Sequence, residues 1–190
     1  MEQVVMNTAL KASEPMLSEI EHKSHVDVKK CYQCGTCAAG CPVSYTSDYS
    51  PRQVVKMLQA GLVDEVYKSH MIWLCVGCGN CVTRCPRNLN IPHLHDTLRI
   101  LSKEKGYPCA EKNVDIFNDS FLKTVEYTGR LYEAGLTMLY NTRSRNFMAG
   151  MDVAPGMFML GKISPFPHLI KGRKEVANIF KKMREMKGAK

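Results

Sequence analysis

Apolar residues recur along most of this chain at three- and four-residue intervals, the spacing of one helix face. In the stretch from Ser50 to Gly61, Val54, Val55 and Leu58 form such a stripe. Ser50 can accept an orphan amide hydrogen bond, Pro51 suits the first helical position, and Gly61 suits the stop, so a capped helix is predicted there. A short helix is predicted over about 62–69. Another is predicted over 92–105, with Leu94, Leu98 and Leu101 on one side and Gly106 at its end. Val114, Phe117, Phe121 and Val125 continue the period, followed by 130–140 with Leu131, Leu136 and Leu139. The segment 143–171 has no clear period and carries Gly150, Pro155, Gly156, Gly161, Pro165 and Pro167, which predicts an extended arm along the surface. Val176, Ile179, Phe180 and Met183 then mark a last amphipathic helix. Strand signals are weak throughout, so the expected fold is mainly α.

The 190 residues suffice for one domain, or for a small domain with an extension, and the apolar and charged fractions are those of an ordinary globular protein. No apolar run approaches the roughly 20 residues that span a bilayer. The start, MEQVVMNTALKASEPM, lacks the basic and apolar regions of a signal peptide. The expectation is therefore a cytoplasmic protein with no direct membrane span, in which cysteines stay reduced and act as ligands or reactive groups. The net charge is +8, of which +6 lies in residues 171–190 (Lys171, Arg173, Lys174, Lys181, Lys182, Arg184, Lys187 and Lys190 against Glu175 and Glu185). The basic character belongs to the tail.

Nine cysteines change this picture. Cys31, Cys34, Cys37, Cys41 and Pro42 form C-x2-C-x2-C-x3-C-P, and Cys75, Cys78, Cys81, Cys85 and Pro86 repeat the spacing unchanged, 44 residues on. Three cysteines at two-residue intervals can wrap three irons of one cubane, because a short loop keeps their sulfurs on one side of the backbone. The fourth, followed by proline, cannot easily curl back onto the same cube, and in two-cluster ferredoxins it ligates the other cluster. Two [4Fe–4S] clusters are therefore expected. One is held by Cys31, Cys34, Cys37 and Cys85, the other by Cys75, Cys78, Cys81 and Cys41. Zinc sites space their cysteine pairs by about 12 or more residues and fit this run poorly. Disulfides are equally poor candidates in a reducing compartment.

Gly35, Gly40, Gly77 and Gly79 are expected to supply the left-handed backbone a ligand loop requires and to let amides approach the sulfurs. Cys109 is left over and is read as an inert thiol. His93 and His95, near a helix start, are read as structural side chains rather than ligands. Trp73 is read as core packing that shields a cluster from water. Lys30, Arg84 and Arg87 flank the ligands, either tuning their electrostatics or simply lying in solvent. The basic last helix is read first as a solvated face, then as a docking surface for an acidic partner.

The 33 residues between Cys41 and Cys75 read as helices, where a compact bacterial ferredoxin has a hairpin-forming connection. The region thus resembles the α-helical ferredoxin domain of larger oxidoreductases. More closely, KCYQCGTCAAGCP (30–42), SPRQVVKMLQAGL (50–62), WLCVGCGNCVTRCP (73–86) and GRLYEAGL (129–136) resemble the C subunit of heterodisulfide reductase, from about residue 27 to the end. The resemblance implies a mainly α chain in which an α-helical ferredoxin domain carries a helical C-terminal extension. Its expected divisions are an N-terminal arm (1–26), a two-cluster domain (27–106), and a helical extension and docking arm with the basic terminal helix (107–190).

The same resemblance implies an electron relay. Partners would be the A subunit of such an enzyme, a flavoprotein with clusters of its own, and the disulfide-active B subunit, with no nucleic acid. The chain has no second cysteine-rich domain, which fits a non-catalytic electron-transfer subunit without catalytic residues of its own. An alternative is the iron–sulfur subunit of a glycolate- or glycerol-3-phosphate-type dehydrogenase, although those usually carry further cysteine-rich domains. A cluster-stabilised nucleic-acid-binding protein using the basic tail is a more distant one.

Overall fold

A computed structural model describes residues 6–150, 152–162, 164 and 166–188, with no account of the side chains of 6–10, 12, 187 and 188. Pro165, Lys190 and the side chain of Lys187, named above, lie outside the described residues. The chain divides into two compact units, Met1–Glu111 and Lys112–Lys190. Among the described residues there are helices and turns and no strands, as the periodicity predicts.

The first unit opens with α1 (Met6–Ser24), in the segment expected to be an arm. Ser13, Leu17, Ile20 and Ser24 fall on one face and are buried. That face packs against α7 (Ile91–Glu104) and α4 (Val63–Lys68). Glu19 pairs with Lys105 at 2.9 Å and Lys23 pairs with Glu104 at 3.3 Å, tying α1 to the end of α7 at its rim. Both pairs are solvent-facing and contribute little beyond orientation. His25 leaves the helix with φ 53°, and the chain enters a 3-10 turn, Val28–Lys30, whose Lys29 amide donates to Asp27 at 2.9 Å.

The helix predicted between the cysteine motifs is α3 (Pro51–Gln59). Ser50 Oγ accepts from the Gln53 amide and Gln53 Oε1 accepts from the Ser50 amide at 2.8 Å, a reciprocal capping box. Replacing Ser50 by Ala removes that cap and is expected to cost about 1 kcal/mol, measured as a lower denaturation midpoint, with Ser50→Thr close to wild type. Val54, Val55 and Leu58 are buried as the stripe predicts. α4 and α5 (Met71–Leu74) follow. The amides of His70 and Met71 at the start of α5 donate to Asp48 at 2.9 and 3.0 Å. The cap of α5 thus comes from a residue 22 positions upstream, in the loop after the first motif.

α7 is the spine of the unit. Leu94, Leu98 and Leu101 are wholly or almost wholly buried among Val54, Leu58, Val66, Tyr67 and Ile72. The partly buried Cys31, Cys37, Cys41, Cys81 and Cys85 pack against the edge of this apolar core.

In the second unit, α8 (Lys112–Thr128) packs against α9 (Glu133–Ser144) and against α11 (Arg173–Gly188). The predicted stripe of α8 is only partly covered, and Phe117 is largely exposed. The buried face is instead Ser120, Thr124 and Thr128, small residues whose threonine hydroxyls bond back one turn, at 2.9 and 2.8 Å. Small side chains let a neighbouring helix approach, and back-bonding satisfies the hydroxyls without water. Arg143 of α9 reaches Ser120 at 3.1 Å and Asp119 at 2.9 Å, and Arg184 of α11 forks onto both oxygens of Glu126. The segment expected to be wholly extended contains a short helix, α10 (Ala154–Met159), with Pro155 in its first turn, a position where proline is tolerated. Met157, Phe158, Met159 and Leu160 are exposed there.

Candidate metal centre

Each cysteine motif folds the same way, for a local reason. After the second cysteine comes a left-handed glycine, Gly35 (φ 84°) or Gly79 (φ 78°), that starts a one-turn helix. These helices are α2 (Thr36–Ala39), carrying Cys37, and α6 (Asn80–Thr83), carrying Cys81. The residue before the second cysteine is also left-handed in both copies. It is glycine in the second (Gly77, φ 63°) but Gln33 (φ 66°) in the first. A non-glycine residue there is strained, by about 1 kcal/mol or more. Gln33 is held by its side chain, which donates to Cys31 Sγ at 3.4 Å and to Gln59 Oε1 at 3.5 Å. Gln59 in turn donates to the carbonyls of Val28 and Cys31, both at 2.8 Å. Gly40 departs from expectation: its φ is −103°, outside the left-handed region.

The first motif presents Cys31, Cys34 and Cys37 around one loop, close enough that the other two thiols raise the Cys37 pKa. From the second motif, Cys75, Cys78 and Cys81 line a recess together with Cys41, the last cysteine of the first motif. His95 of α7, fully buried, lines the same recess. Cys85 stands at the end of α6, where its sulfur accepts from the Leu89 amide at 3.4 Å. Just beyond it, Arg87 donates to the carbonyl of Lys30, the residue before Cys31, at 3.2 Å. Asn80 donates to the Gly40 carbonyl at 3.4 Å, and α2 packs on α6. The end of each motif therefore lies beside the start of the other.

Burial pushes the Cys37 and Cys75 thiols up and takes Cys81 to about 11, with neighbouring thiols adding to the effect. Cys34, by contrast, is exposed and lowered, chiefly by the Thr36 hydroxyl and amide. Burial is opposed at Cys75 by the Gly77 amide and by Arg99, whose guanidinium donates to the carbonyls of Ile72 and Cys75. With few donors to favour ionisation, the buried members stay neutral thiols, and their conversion to thiolate ligands would draw on the positive charge of bound metal. Among the described residues, no three Cys, His, Asp or Glu side chains are gathered tightly enough to hold a single ion. Thiols spread around a loop or a recess suit a polynuclear group, whose corners take one ligand each.

Cys109 belongs to neither group; its thiol donates to the Glu111 carbonyl at 3.3 Å. Trp73 is buried, with Lys103 over its ring at 5.9 Å. His93 is not buried, whereas burial and the nearby Arg99 hold His95 neutral, with a pKa of about 3. Sequence reasoning passed over Gln33, Gln59, Asp48 and Arg99. Only the proximity of Gln33 to the ligands was a signal, since the other three act through contacts distant in sequence.

Residues 27–89 match the 4Fe–4S dicluster domain, so the first unit contains a domain of that class and its cofactor is a pair of [4Fe–4S] clusters. Over about half its length the chain is similar to iron–sulfur C subunits of heterodisulfide reductases. It is 44 % identical over 94 residues to the iron-sulfur C subunit of the CoB–CoM heterodisulfide reductase of Methanopyrus kandleri, covering 50 % of this chain and 47 % of that one. It is 39 % identical over 101 residues to the second such C subunit of Methanocaldococcus jannaschii, covering 53 % and 52 %. A protein of Archaeoglobus profundus that is itself like the heterodisulfide reductase C subunit is 33 % identical over 76 residues, 40 % of either chain. The chain thus spans about half the length of the curated relatives it matches, less than the resemblance drawn from residue 27 to the end.

Proposed function

We propose that this chain is a non-catalytic electron-relay subunit of a heterodisulfide-reductase-like complex in the cytoplasm. It passes electrons between a flavoprotein, the A subunit of that complex, and the disulfide-active B subunit. One cluster is held by Cys31, Cys34, Cys37 and Cys85, the other by Cys75, Cys78, Cys81 and Cys41. The observation that carries the ligand assignment is the recess in which Cys41 joins three thiols of the opposite motif. The contact of Arg87 with Lys30 supports the reciprocal placement of Cys85.

When bound, the clusters supply reversible one-electron storage. The chain's part is placement, burial and hydrogen bonding. Cys37 and Cys81 sit on the facing helices α2 and α6, and Cys37 is among the thiols that raise Cys81. An electron crossing from one set to the other has this short contact to traverse. Cys34 and Cys78 are the exposed members of the two sets. They occupy the same position in each repeat, so each set has one edge to which a partner's redox group can come close.

The organisation that supports this role is a cluster domain over 27–106, an N-terminal segment (1–26) whose helix α1 braces it, and a docking extension over 107–190. No helix among the described residues is long and apolar enough to cross a membrane. The exposed Met157–Leu160 stretch and the basic α11 give the extension its surface for partners.

The test is anaerobic affinity purification of the tagged chain from its native cells. A flavoprotein and a cysteine-rich, disulfide-active protein are expected to elute with it. Elution of the iron-loaded chain alone, or with a carbon-substrate dehydrogenase instead, would overturn the proposal.

A further inference from the structure

His95 is completely buried, and neither ring nitrogen has a hydrogen-bond partner. In any protonation state an imidazole carries at least one N–H, and leaving a buried donor unmet costs about 1–3 kcal/mol. Such a group calls for an explanation. The side chain lines the recess between Cys41, Cys75, Cys78 and Cys81, whose other walls are largely apolar, Met71 and Pro92 among them. Pro92 has no amide hydrogen to offer, and Met71 carries only a weak acceptor. The strong acceptors this recess gains on loading are sulfurs, the thiolates and the inorganic sulfides.

The placement of His95 is fixed by what surrounds it. It sits in the second turn of α7, one residue after Leu94 and three before Leu98, both fully buried in the core. One turn further on, Arg99 is bound to the carbonyls of Ile72 and Cys75, which locks this stretch of α7 to the ligand loop. The ring therefore has little freedom to seek a partner elsewhere.

We infer that His95 donates a hydrogen bond to a sulfur of the cluster held by Cys75, Cys78, Cys81 and Cys41, and thereby sets that cluster's potential above that of an otherwise equal site. The inference rests on the ligand assignment proposed above. An N–H donor stabilises the more negative, reduced cluster and raises its potential. His95 is thus a tuning residue for one cluster, with no counterpart 44 residues earlier, where the chain has Pro51.

The experiment is potentiometric titration, followed by low-temperature spectroscopy, of the anaerobically loaded full chain and of His95→Leu, His95→Asn and His95→Gln. Iron and sulfide contents, measured first, test the ligand reading separately. In His95→Leu the reduced-to-oxidised ratio of one cluster at fixed potential is expected to fall about tenfold, which is ~59 mV for one electron. The other cluster stays where it was. Asn, which keeps a donor near Nδ1, or Gln, near Nε2, restores much of the shift. If fully loaded His95→Leu leaves both potentials unchanged, or if neither amide restores a shift, the inference is wrong. Should His95→Leu fail to load, wild-type protein labelled with 15N-histidine decides the matter. A 15N coupling to one reduced cluster, lost in a His95→Gln control that loads, supports the bond, and its absence overturns it.

Discussion

Replacing Cys85 by Ala is expected to remove the cluster built mainly by the first motif, although Cys85 closes the second. Iron should fall from about eight to about four per chain, since one cubane of two is lost. Two further variants calibrate the readout. Cys34→Ala and Cys78→Ala each remove an exposed cysteine from the middle of one motif and are expected to mark the two clusters individually. The low-temperature spectrum of reduced Cys85→Ala should match that of Cys34→Ala, and Cys41→Ala should match Cys78→Ala. The reason is the placement of chain ends: Cys41 lies in the recess with Cys75, Cys78 and Cys81, and Arg87 binds the carbonyl before Cys31. A match of Cys85→Ala to Cys78→Ala would show instead that each motif encloses its own cluster.

Leu98→Ala carries the second large effect. Leu98 is fully buried at the centre of α7, packed in the cluster that includes Leu58, Val66 and Ile72. Truncation removes three carbons from a site with helices on several sides that cannot all relax inward, for a cost of about 2–5 kcal/mol. The measurement is chemical denaturation of the loaded protein under anaerobic conditions, followed by helical signal and cluster absorbance together. Both should shift to lower denaturant, because α7 also positions His95 and Arg99 at the ligand loops. Ile100→Ala is the control. Ile100 is 56 % exposed on the opposite side of the same helix, and its loss is expected to change stability by no more than about 0.5 kcal/mol. Equal effects at the two positions would mean that α7 does not form the core described here.

Much of this molecule is legible in its sequence wherever the determining contacts are local. The Ser50 cap and the stop at Gly61 bracket α3 because each acts within four residues. Leu94, Leu98 and Leu101 announce α7 because a leucine every three or four residues has one physical use in water. The pairing of a cluster domain with this chain is legible for the same reason: the C-x2-C-x2-C spacing sets three thiols of each motif around one short loop. What escapes the sequence is set at a distance. α1 is disguised by Pro15 and by charged residues, and its face is half serine, so the apolar period is thin. On α8 the aromatic stripe is conspicuous, yet Ser120, Thr124 and Thr128 are buried, since close helix approach favours small side chains over large ones. Asp48 caps a helix 22 residues downstream, and Arg99 grips carbonyls 27 and 24 residues upstream. Neither bond has a local signature. In the sequence His95 reads as an ordinary histidine of a helix start; its complete burial and unpartnered ring come from the packing of α7.

The most direct measurement is iron and acid-labile sulfide per chain in anaerobically prepared protein, taken with its visible absorbance and helical signal. A brown, helical protein with about eight of each is the expected result. Colourless material that folds to the same helicity with no iron and no sulfide would contradict the account at its root.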